Sequence, residues 1–589
     1  MSNNQKIETM LLAALDSTPE QIESSSALSA GIDLSNDVWQ LIVRYTDDLS
    51  DLERKYPGIK TITLLNGYGI IFTPREFIDS IASEERIIYI EKPKSFYYQT
   101  YSARQASCIN SAQNRYSGLL TGRGTYVAII DSGIDYSHPD FRNPDGSTRI
   151  KYLWDQTITP TIPSPMDLQT SPYPVPFGTI YDEATINMAL SAATTEERYS
   201  ICPSIDISGH GTHVAGIAAG NGAASNGINR GVAYEAWLII VKLAPVTNTT
   251  FPGTVSIMTA VDFCIRQSLL LNSPVAINLS FGNTYGSHSG SSLLETYLDS
   301  VMGLYQSCIV VGSGNEGSSA GHASFSKDSN RNTQEISVSD FTPNLSILLW
   351  KRFWDDVTFE LTAPNGQYLL LPSEAGGYNF TIGNDNVFIF IGEPTPYNIF
   401  QEYFIELQND KNSYISPGIW RISYKNNSQK EVGNISLWLT ASGTRSQATR
   451  FLTPDIYTTL TIPSTASKVI SVGAYDSNTD RIASFSGRGY TWGNPMYKPD
   501  LVAPGVDISS CSPGGGYTVR SGTSMATPFV TGCCAALMQW GIIEGNDAFL
   551  YGEKMKAILI KGARILPGED SFPDPFYGWG ALCLLDSVP

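Results

Sequence analysis

Between about Thr121 and Ala323 the chain repeats one pattern. A short run of consecutive apolar residues, mostly β-branched, is followed by a longer segment in which apolar residues recur every three or four positions. Tyr126–Ile130, Ala236–Lys242, Ala276–Asn278 and Ile309–Gly312 are the short runs; His213–Gly220, Val255–Ser268 and Leu293–Ser307 are the helical segments. Strands that are apolar at every position are covered on both faces, so the alternation predicts a parallel sheet flanked by helices, an α/β domain. From about Phe325 to Thr449 the helical period disappears. Aromatic-rich strands replace it at Leu345–Trp350, Val357–Thr362, Val387–Ile391, Tyr403–Leu407, Ile419–Tyr424 and Ile435–Ala441, with turn chemistry at Pro364-Asn365-Gly366, Gly376-Gly377 and Pro417-Gly418. Such spacing predicts a β-sandwich, with Trp350, Trp354, Trp420 and Trp438 in its core. The buried-strand pattern resumes at Lys468–Tyr475, and Thr523–Trp540 is a long apolar helix. The β block is therefore inserted into the α/β domain.

Ahead of this domain, residues 1–35 are polar and weakly periodic, with a short helix at Ile7–Leu15. Val38–Tyr45 alternates as a strand, Leu49–Tyr56 is helical, and Ile59–Leu65 and Tyr68–Thr73 are strands around Asn66-Gly67, a hairpin signal. A helix at Arg75–Glu85 and a strand at Ile87–Glu91 complete a βαββαβ order, the split arrangement of a ferredoxin-like unit over 37–94. The predicted division is 1–100 for this N-terminal segment, 101–324 and 451–589 for the two pieces of the α/β domain, and 325–450 for the sandwich.

The balance of 38 basic against 56 acidic residues gives a net charge of −18, which repels phosphate backbones and argues against nucleic acid. No run of about 18 apolar residues is present to span a membrane. The short patch Met10–Leu15 has acidic flanks and no small-residue cleavage site, so no signal peptide is predicted, and synthesis in the cytoplasm is expected. The eight cysteines include Cys264, Cys308, Cys533 and Cys534 inside apolar segments, and none has zinc-ligand spacing. All are expected to be reduced core thiols and not a disulfide framework.

Four segments carry chemistry. Ile129-Ile130-Asp131-Ser132-Gly133 places a carboxylate at the end of a buried strand, where open α/β sheets concentrate function. Gly209-His210-Gly211-Thr212-His213 sets an imidazole at a helix start. Gly312-Ser313-Gly314-Asn315-Glu316-Gly317 ends a strand with an amide, and Ser521-Gly522-Thr523-Ser524-Met525-Ala526-Thr527-Pro528 puts a hydroxyl at the head of an apolar helix. A serine needs an imidazole to take its proton, and the imidazole needs a carboxylate to fix its tautomer. A developing oxyanion needs donors, here the Asn315 amide and the Ser524 N–H. Asp135 competes with Asp131, but the strand-end position favours Asp131. His213 is read as structural from its helical spacing, and His138 as a residue bracing its loop.

On these strings, with Lys498-Pro499-Asp500-Leu501-Val502-Ala503-Pro504-Gly505, the chain resembles the subtilisin-like serine proteases. The resemblance implies a serine endopeptidase on a subtilisin-like parallel-sheet domain, with Asp131 as orienting acid, His210 as general base, Ser524 as nucleophile and Asn315 as oxyanion donor. It implies that Ser280, Phe281, Gly282, Gly312, Ser313 and Gly314 line the primary pocket of a protein or peptide substrate. It makes the ferredoxin-like unit a pro-segment and inhibitor, self-cleaved between Ser95 and Gln105 in an extended stretch from Lys92 to Ser102. No cofactor is needed for the chemistry; structural calcium is common in the family, but no ligand set stands out. The missing signal, Ile90-Glu91-Lys92-Pro93 and the insertion, which would then be a jelly-roll, are similar to the Csp germination proteases of clostridia. That likeness implies activation of a spore cortex-lytic zymogen and deposition in the spore. The rival is a silent scaffold that binds partners through the sandwich. The interval Asn143–Ser204 is read as a surface loop unrelated to catalysis.

Overall fold

A computed structural model describes residues 6–19, 22, 31–64, 67–92, 99–159, 177–245, 252–325, 332–409, 414–493, 495–567 and 571–589. The chain divides into two compact units, Met1–Tyr97 and Tyr98–Pro589.

In the first unit, strand Val38–Tyr45 lies between Tyr68–Thr73 and Ile87–Glu91, with Lys60–Thr63 outside Tyr68–Thr73 and all pairs antiparallel. Leu41, Val43, Ile71, Ile87 and Ile90 turn to one face, where the helices Asp51–Lys55 and Ile78–Ala82 add Leu52, Ile78 and Ile81. This is the order expected of the split unit. Asn66, half of the hairpin signal, lies outside the described residues.

The second unit is built on a nine-stranded sheet. Its parallel strands run in the order Leu501–Pro504, Ile470–Asp476, Ser307–Gly312, Val275–Leu279, Tyr126–Asp131, Trp237–Lys242 and Ile150–Asp155. The chain leaves Tyr126–Asp131 toward Ile150–Asp155, returns through Trp237–Lys242, then crosses to Val275–Leu279 on the other side. Asp131 thus ends the strand at which the order reverses, the place where open sheets leave a crevice. Alternate residues of each strand face opposite layers. Val127, Ile129, Ala276 and Val310 meet the helices His210–Ala219 and Thr523–Met538; Ala128, Ile130, Ile277 and Ile309 meet Thr254–Leu270 and Leu293–Val301. The stretch Thr523–Ile543 is long and apolar enough to cross a membrane, yet most of it is buried in this core.

Between the two pieces stand a six-stranded and a five-stranded sheet, antiparallel throughout, enclosing one apolar core. In the first sheet the order is His322–Phe325, Ile435–Leu439, Asn344–Arg352, Phe400–Gln408, Asp385–Ile391, Gly376–Ile382; in the second it is Tyr368–Leu370, Val357–Thr362, Gly418–Asn426, Thr333–Val338, Arg450–Phe451.

Several expectations are corrected. Trp420 is in the core between these sheets, but Trp350 and Trp438 project from the opposite face and pack with Trp492. Trp354 is exposed. Strand alternation alone does not say which face is the core, and here both faces of the six-stranded sheet are covered. Asn143–Ser204 is no simple loop: Ile150–Asp155 joins the sheet, Thr179–Asp182 pairs with it, and helices follow at Glu183–Leu190 and Thr195–Ile201. Leu293–Val301 ends five residues before the next strand because Gly303 takes a left-handed conformation. Cys108 and Cys583 form a disulfide across 475 residues, a pairing that sequence distance conceals; the other six cysteines are free and buried. Gln99–Ala106 is a helix and not extended chain, while 93–98 lie outside the described residues.

The Trp438 ring stacks between two imidazoles, 4.3 Å from His288 and 4.7 Å from His322. Burial pushes the His288 pKa down to about 4, so the folded state holds this ring neutral at mild acidity. A folded-state pKa below the unfolded value near 6.5 means stability that is full above pH 6.5 and is lost as pH falls toward 4, by about 3 kcal/mol for a shift of this size. Calorimetry from pH 7 to 4.5 is expected to show a steeper fall in Tm for the wild type than for His288→Asn, whose side chain cannot take up the proton. Parallel slopes would count against the account.

Candidate active site

Asp131 is fully buried at its strand end. Its Oδ1 accepts from the Ser132 N–H at 2.7 Å and lies 2.7 Å from Nδ1 of His210. His210 opens the helix His210–Ala219, whose cap, Gly209, is left-handed at φ 67°. The helix can start this close to the strand only because residue 211 is glycine: a Cβ there would meet the Gly133 carbonyl at 2.1 Å and the Asp131 Cβ at 3.1 Å. Ser132 locks the approach, its hydroxyl accepting from the Gly211 N–H at 2.9 Å and donating to Asp206 at 2.8 Å. Asp206 in turn accepts from Gly209 N–H at 3.0 Å and from Thr212 N–H at 2.8 Å.

Burial pulls the His210 pKa down, but the charge of Asp131 and the hydrogen bond to it outweigh burial, and the value stands above the ordinary one. Arg520, whose Nη2 donates to the Ser208 carbonyl at 2.6 Å, pulls it back down. The Asp131 bond also selects the tautomer with the proton on Nδ1, leaving Nε2 as the free base.

Ser524 is the second residue of helix Thr523–Met538. Its hydroxyl donates to the Ser280 carbonyl and its carbonyl accepts from the Ser280 hydroxyl, both at 3.3 Å. That carbonyl is available because Pro528, four residues on, has no N–H to give it. Among the described residues no hydrogen bond joins Ser524 Oγ to His210. The Phe281 ring, next in sequence to Ser280, lies 6.1 Å from the His210 ring. Asn315 is held by its oxygen: Oδ1 accepts from the Thr523 N–H at 3.0 Å and the Thr523 hydroxyl at 3.1 Å. Its Nδ2 is therefore free to donate. A Cβ on Gly522 would lie 3.5 Å from Nδ2 and 3.7 Å from the Ser524 backbone nitrogen, so the two donors converge on the space that this glycine leaves open at φ 153°.

The six residues expected to line a pocket fall in two strand-end segments joined by a third. Thr461 stands between them: its N–H donates to the Ser313 carbonyl at 3.0 Å, and Cβ atoms on Gly282 or Gly314 would strike its side chain at 2.2 Å and 2.4 Å. Ile462 pairs with Asn283. Gly312 faces the helix, 3.0 Å from Thr527 by the same measure. Thr461 carried no sequence signal, since the chain reaches it only after the inserted block, and nor did Arg520; Gly522 and Thr523 stood inside the serine string, but their own parts in the site could not be read from it.

The residues weighed as alternatives are elsewhere employed. Asp135 accepts from Ser137 and from the Gly514 N–H. His213 is buried with Nε2 near the carbonyls of Ile508 and Thr518, and burial holds its pKa down at about 4. His138 accepts from the Asp140 N–H. Ligand-capable atoms of His138, Asp140 and Cys511 come within 4.8 Å of one another. They do not fit calcium, which takes oxygen ligands, because the single carboxylate already accepts from Tyr517, Cys511 and the Ala224 N–H.

Asp131→Asn should lower the His210 pKa below the ordinary 6.5, since burial would then act without the opposing charge. NMR titration of the imidazole reports this directly; a value unchanged from wild type would contradict the assignment of Asp131 as the dominant neighbour.

Residues 122–367 and 378–580 match the subtilase family, Peptidase S8, and residues 5–94 match the Csp protease B prodomain. The chain is 36% identical to the CspB protease of Clostridium perfringens, over 83% of this chain and 96% of that one, with a TM-score of 0.74. It is 26% identical over 498 residues to the PIII-type proteinase of Lactococcus lactis subsp. cremoris (strain SK11), covering 79% of this chain but only 24% of that protein. Serine protease AprX of Bacillus subtilis is 38% identical over 152 residues, 22% of this chain and 32% of AprX. The chain thus spans about a quarter of the lactococcal proteinase. With both pieces of the α/β domain and the N-terminal unit matched, the chain belongs to the subtilase family and is similar to its Csp members.

Proposed function

We propose that this chain is a serine endopeptidase in which Ser524 is the nucleophile, His210 the general base and acid, and Asp131 its orienting partner. The observation that carries the reading is the pair of donors, Asn315 Nδ2 and Ser524 N–H, converging beside Gly522 at the serine's own helix terminus. Ser524 Oγ, turned from the Ser280 carbonyl toward His210, would attack the scissile carbonyl carbon as its proton passes to Nε2. The oxygen of the tetrahedral intermediate takes the negative charge beside the two donors and the positive end of the helix. Collapse breaks the C–N bond, the leaving amine takes the proton from His210, and water then releases the acyl group by the same route in reverse.

In this reading residues 1–100 are a pro-segment that is self-cleaved and inhibitory, and 101–324 with 451–589 are the catalytic domain. The insertion 325–450 is a jelly-roll. Its strands support this, because removing the Gly376–Ile382 and Asp385–Ile391 hairpin leaves a four-stranded and a five-stranded sheet whose strands, the edge strand Arg450–Phe451 apart, follow the interleaved order of two Greek keys. The likeness to the Clostridium perfringens CspB protease favours a role in germination, activating a spore cortex-lytic zymogen, with synthesis in the cytoplasm and deposition in the spore.

One observation favours the silent scaffold: Ser524 Oγ is bonded to Ser280 and not to His210. A fluorophosphonate probe separates the two. Labelling of the wild type and none of Ser524→Ala supports the peptidase, and autoprocessing should leave the wild type cut and Ser524→Ala at full length. Absence of both labelling and cutting selects the scaffold. Gly522→Ala puts a methyl among the oxyanion donors and should lower kcat by roughly 10²–10³, the cost of losing one such donor, with Ser524, His210 and Asp131 all retained. A near-normal rate would place the oxyanion elsewhere.

A further inference from the structure

A cleft of about 550 Å³ opens beside the His210 end of the site, between the Thr195–Ile201 helix, the loop that follows Asp131, and the turn at Pro513–Gly515. It begins at the catalytic helix itself: a Cβ on Gly209 would meet Pro513 at 2.8 Å and the Arg520 guanidinium at 3.3 Å. Two carboxylates and two guanidinium groups line it, those of Asp135, Asp206, Arg142 and Arg198.

The carboxylates are committed to the protein. Asp135 accepts from the Ser137 N–H and hydroxyl and from the Gly514 N–H, at 2.9, 2.7 and 2.9 Å. Asp206 accepts from Ser132, Gly209 and Thr212, as above. The arginines are not. Nε of Arg142 and Nε of Arg198 are buried without a hydrogen-bond partner. Arg142 gives one Nη2–H to the Ser137 carbonyl, and among the described residues neither guanidinium has an ion-pair partner. Burial, and then the charge of Arg198, hold the Arg142 pKa below its ordinary value. Two cations that repel each other, each with its Nε out of water and unpaired, cost folding free energy. The charge of Asp135 partly offsets this at Arg142, but among the described residues no carboxylate lies within ion-pair distance of either guanidinium.

We propose that this cleft is a substrate subsite for an acidic side chain, with Arg142 and Arg198 as its specificity determinants. A carboxylate accepts two parallel N–H bonds from a guanidinium fork, and a second guanidinium neutralises the remaining charge. Arg520, at the mouth beside Ser208, favours the approach of such a segment. The cleft shares Asp206 with the clamp that holds the His210 helix, and an extended peptide leaving the site rises roughly 3.3 Å per residue along its course. The inference rests on the peptidase reading and deepens it: the substrate class is an acidic peptide segment.

The test uses the full chain and two fluorescent decapeptide libraries, identical except that glutamate in one replaces glutamine in the other at each scanned position. For the wild type, kcat/KM should favour glutamate at least tenfold at one or two positions. Arg142→Gln with Arg198→Gln should bring that ratio near one while leaving cleavage of the glutamine library within about twofold. The double lysine variant should fall between, since it keeps charge and loses the fork. A wild-type ratio of one, or a ratio that the double glutamine variant does not move, overturns the subsite. A merely structural role for the arginines would lower both libraries together and also overturns it. Failure of the peptidase reading shows separately, as absence of fluorophosphonate labelling. In that case fluorescence anisotropy on Ser524→Ala decides: tenfold tighter binding of the glutamate library, lost in the Arg142→Gln, Arg198→Gln background, supports the subsite, and equal binding rejects it.

Discussion

A carboxylate buried to zero exposure has to be answered by donors, and around Asp131 those donors gather on a single oxygen, Oδ1, while Oδ2 has no hydrogen-bond partner among the described residues. One donor is its neighbour's N–H; the other is His210, brought to 2.7 Å by a helix that starts against the strand end. That start is possible only with glycine at 211, and it is held by Ser132 and by Asp206, which between them occupy Gly209, Gly211 and Thr212. The Asp131–His210 bond is therefore the visible end of a clamp made from three segments. Its energetic consequence is the raised His210 pKa, in which the Asp131 charge outweighs burial and Arg520 trims the result. Arg520 comes from the hairpin that feeds the nucleophile's helix, so the base is tuned by the element that leads into the helix of its proton donor.

The serine side depends on an absence. Pro528 has no N–H, and the carbonyl of Ser524 is left for the Ser280 hydroxyl. This ties the helix start to the segment after strand Val275–Leu279, while Asn315 ties it to the segment after Ser307–Gly312 through Thr523. Two adjacent strand ends and one helix terminus are thus bonded to one another before any substrate arrives. Preorganisation of this kind is what makes oxyanion donors effective, since they need not reorient as charge develops.

Much of this was legible in the residues. Runs such as Tyr126–Ile130, apolar at every position, announce strands buried on both faces, and the chemistry-bearing residues sit at their ends because glycine and serine break the run there. Boundaries slipped where tertiary context decided them: Leu293–Val301 stopped short at Gly303, and His210–Ala219 began earlier than its apolar period. The interval Asn143–Ser204 looked like a loop because its proline- and threonine-rich middle masked a sheet strand at Ile150–Asp155. Trp350 and Trp438 were assigned to the wrong side of their sheet, since a strand with two covered faces gives no cue as to which is the interior. The Cys108–Cys583 pair and the placement of Thr461 are long-range facts that no local pattern encodes.

Those long-range facts bear on what the two-sheet block does for the site. It lies in sequence between Asn315 and Ser524, and the chain leaving it does two things. Ser442 gives its N–H and hydroxyl to Glu316, the residue after Asn315, at 2.9 and 2.8 Å. Further on, Thr461 and Ile462 bond Ser313 and Asn283, filling the space between the segments that flank the nucleophile. Trp438, from the block's own sheet, donates to the Thr458 carbonyl, and its ring lies against His288, whose Nδ1 is 2.8 Å from the Leu460 carbonyl just before Thr461. The block is thereby bonded at both ends of one short path, from the Asn315 turn through its outer face to Thr461. A sheet packed on one side only could be removed with little effect on its host. A sheet whose second face anchors the chain beside the oxyanion donor is part of the site's rigidity, and a change in its seating would be felt first at Asn315 and Thr461.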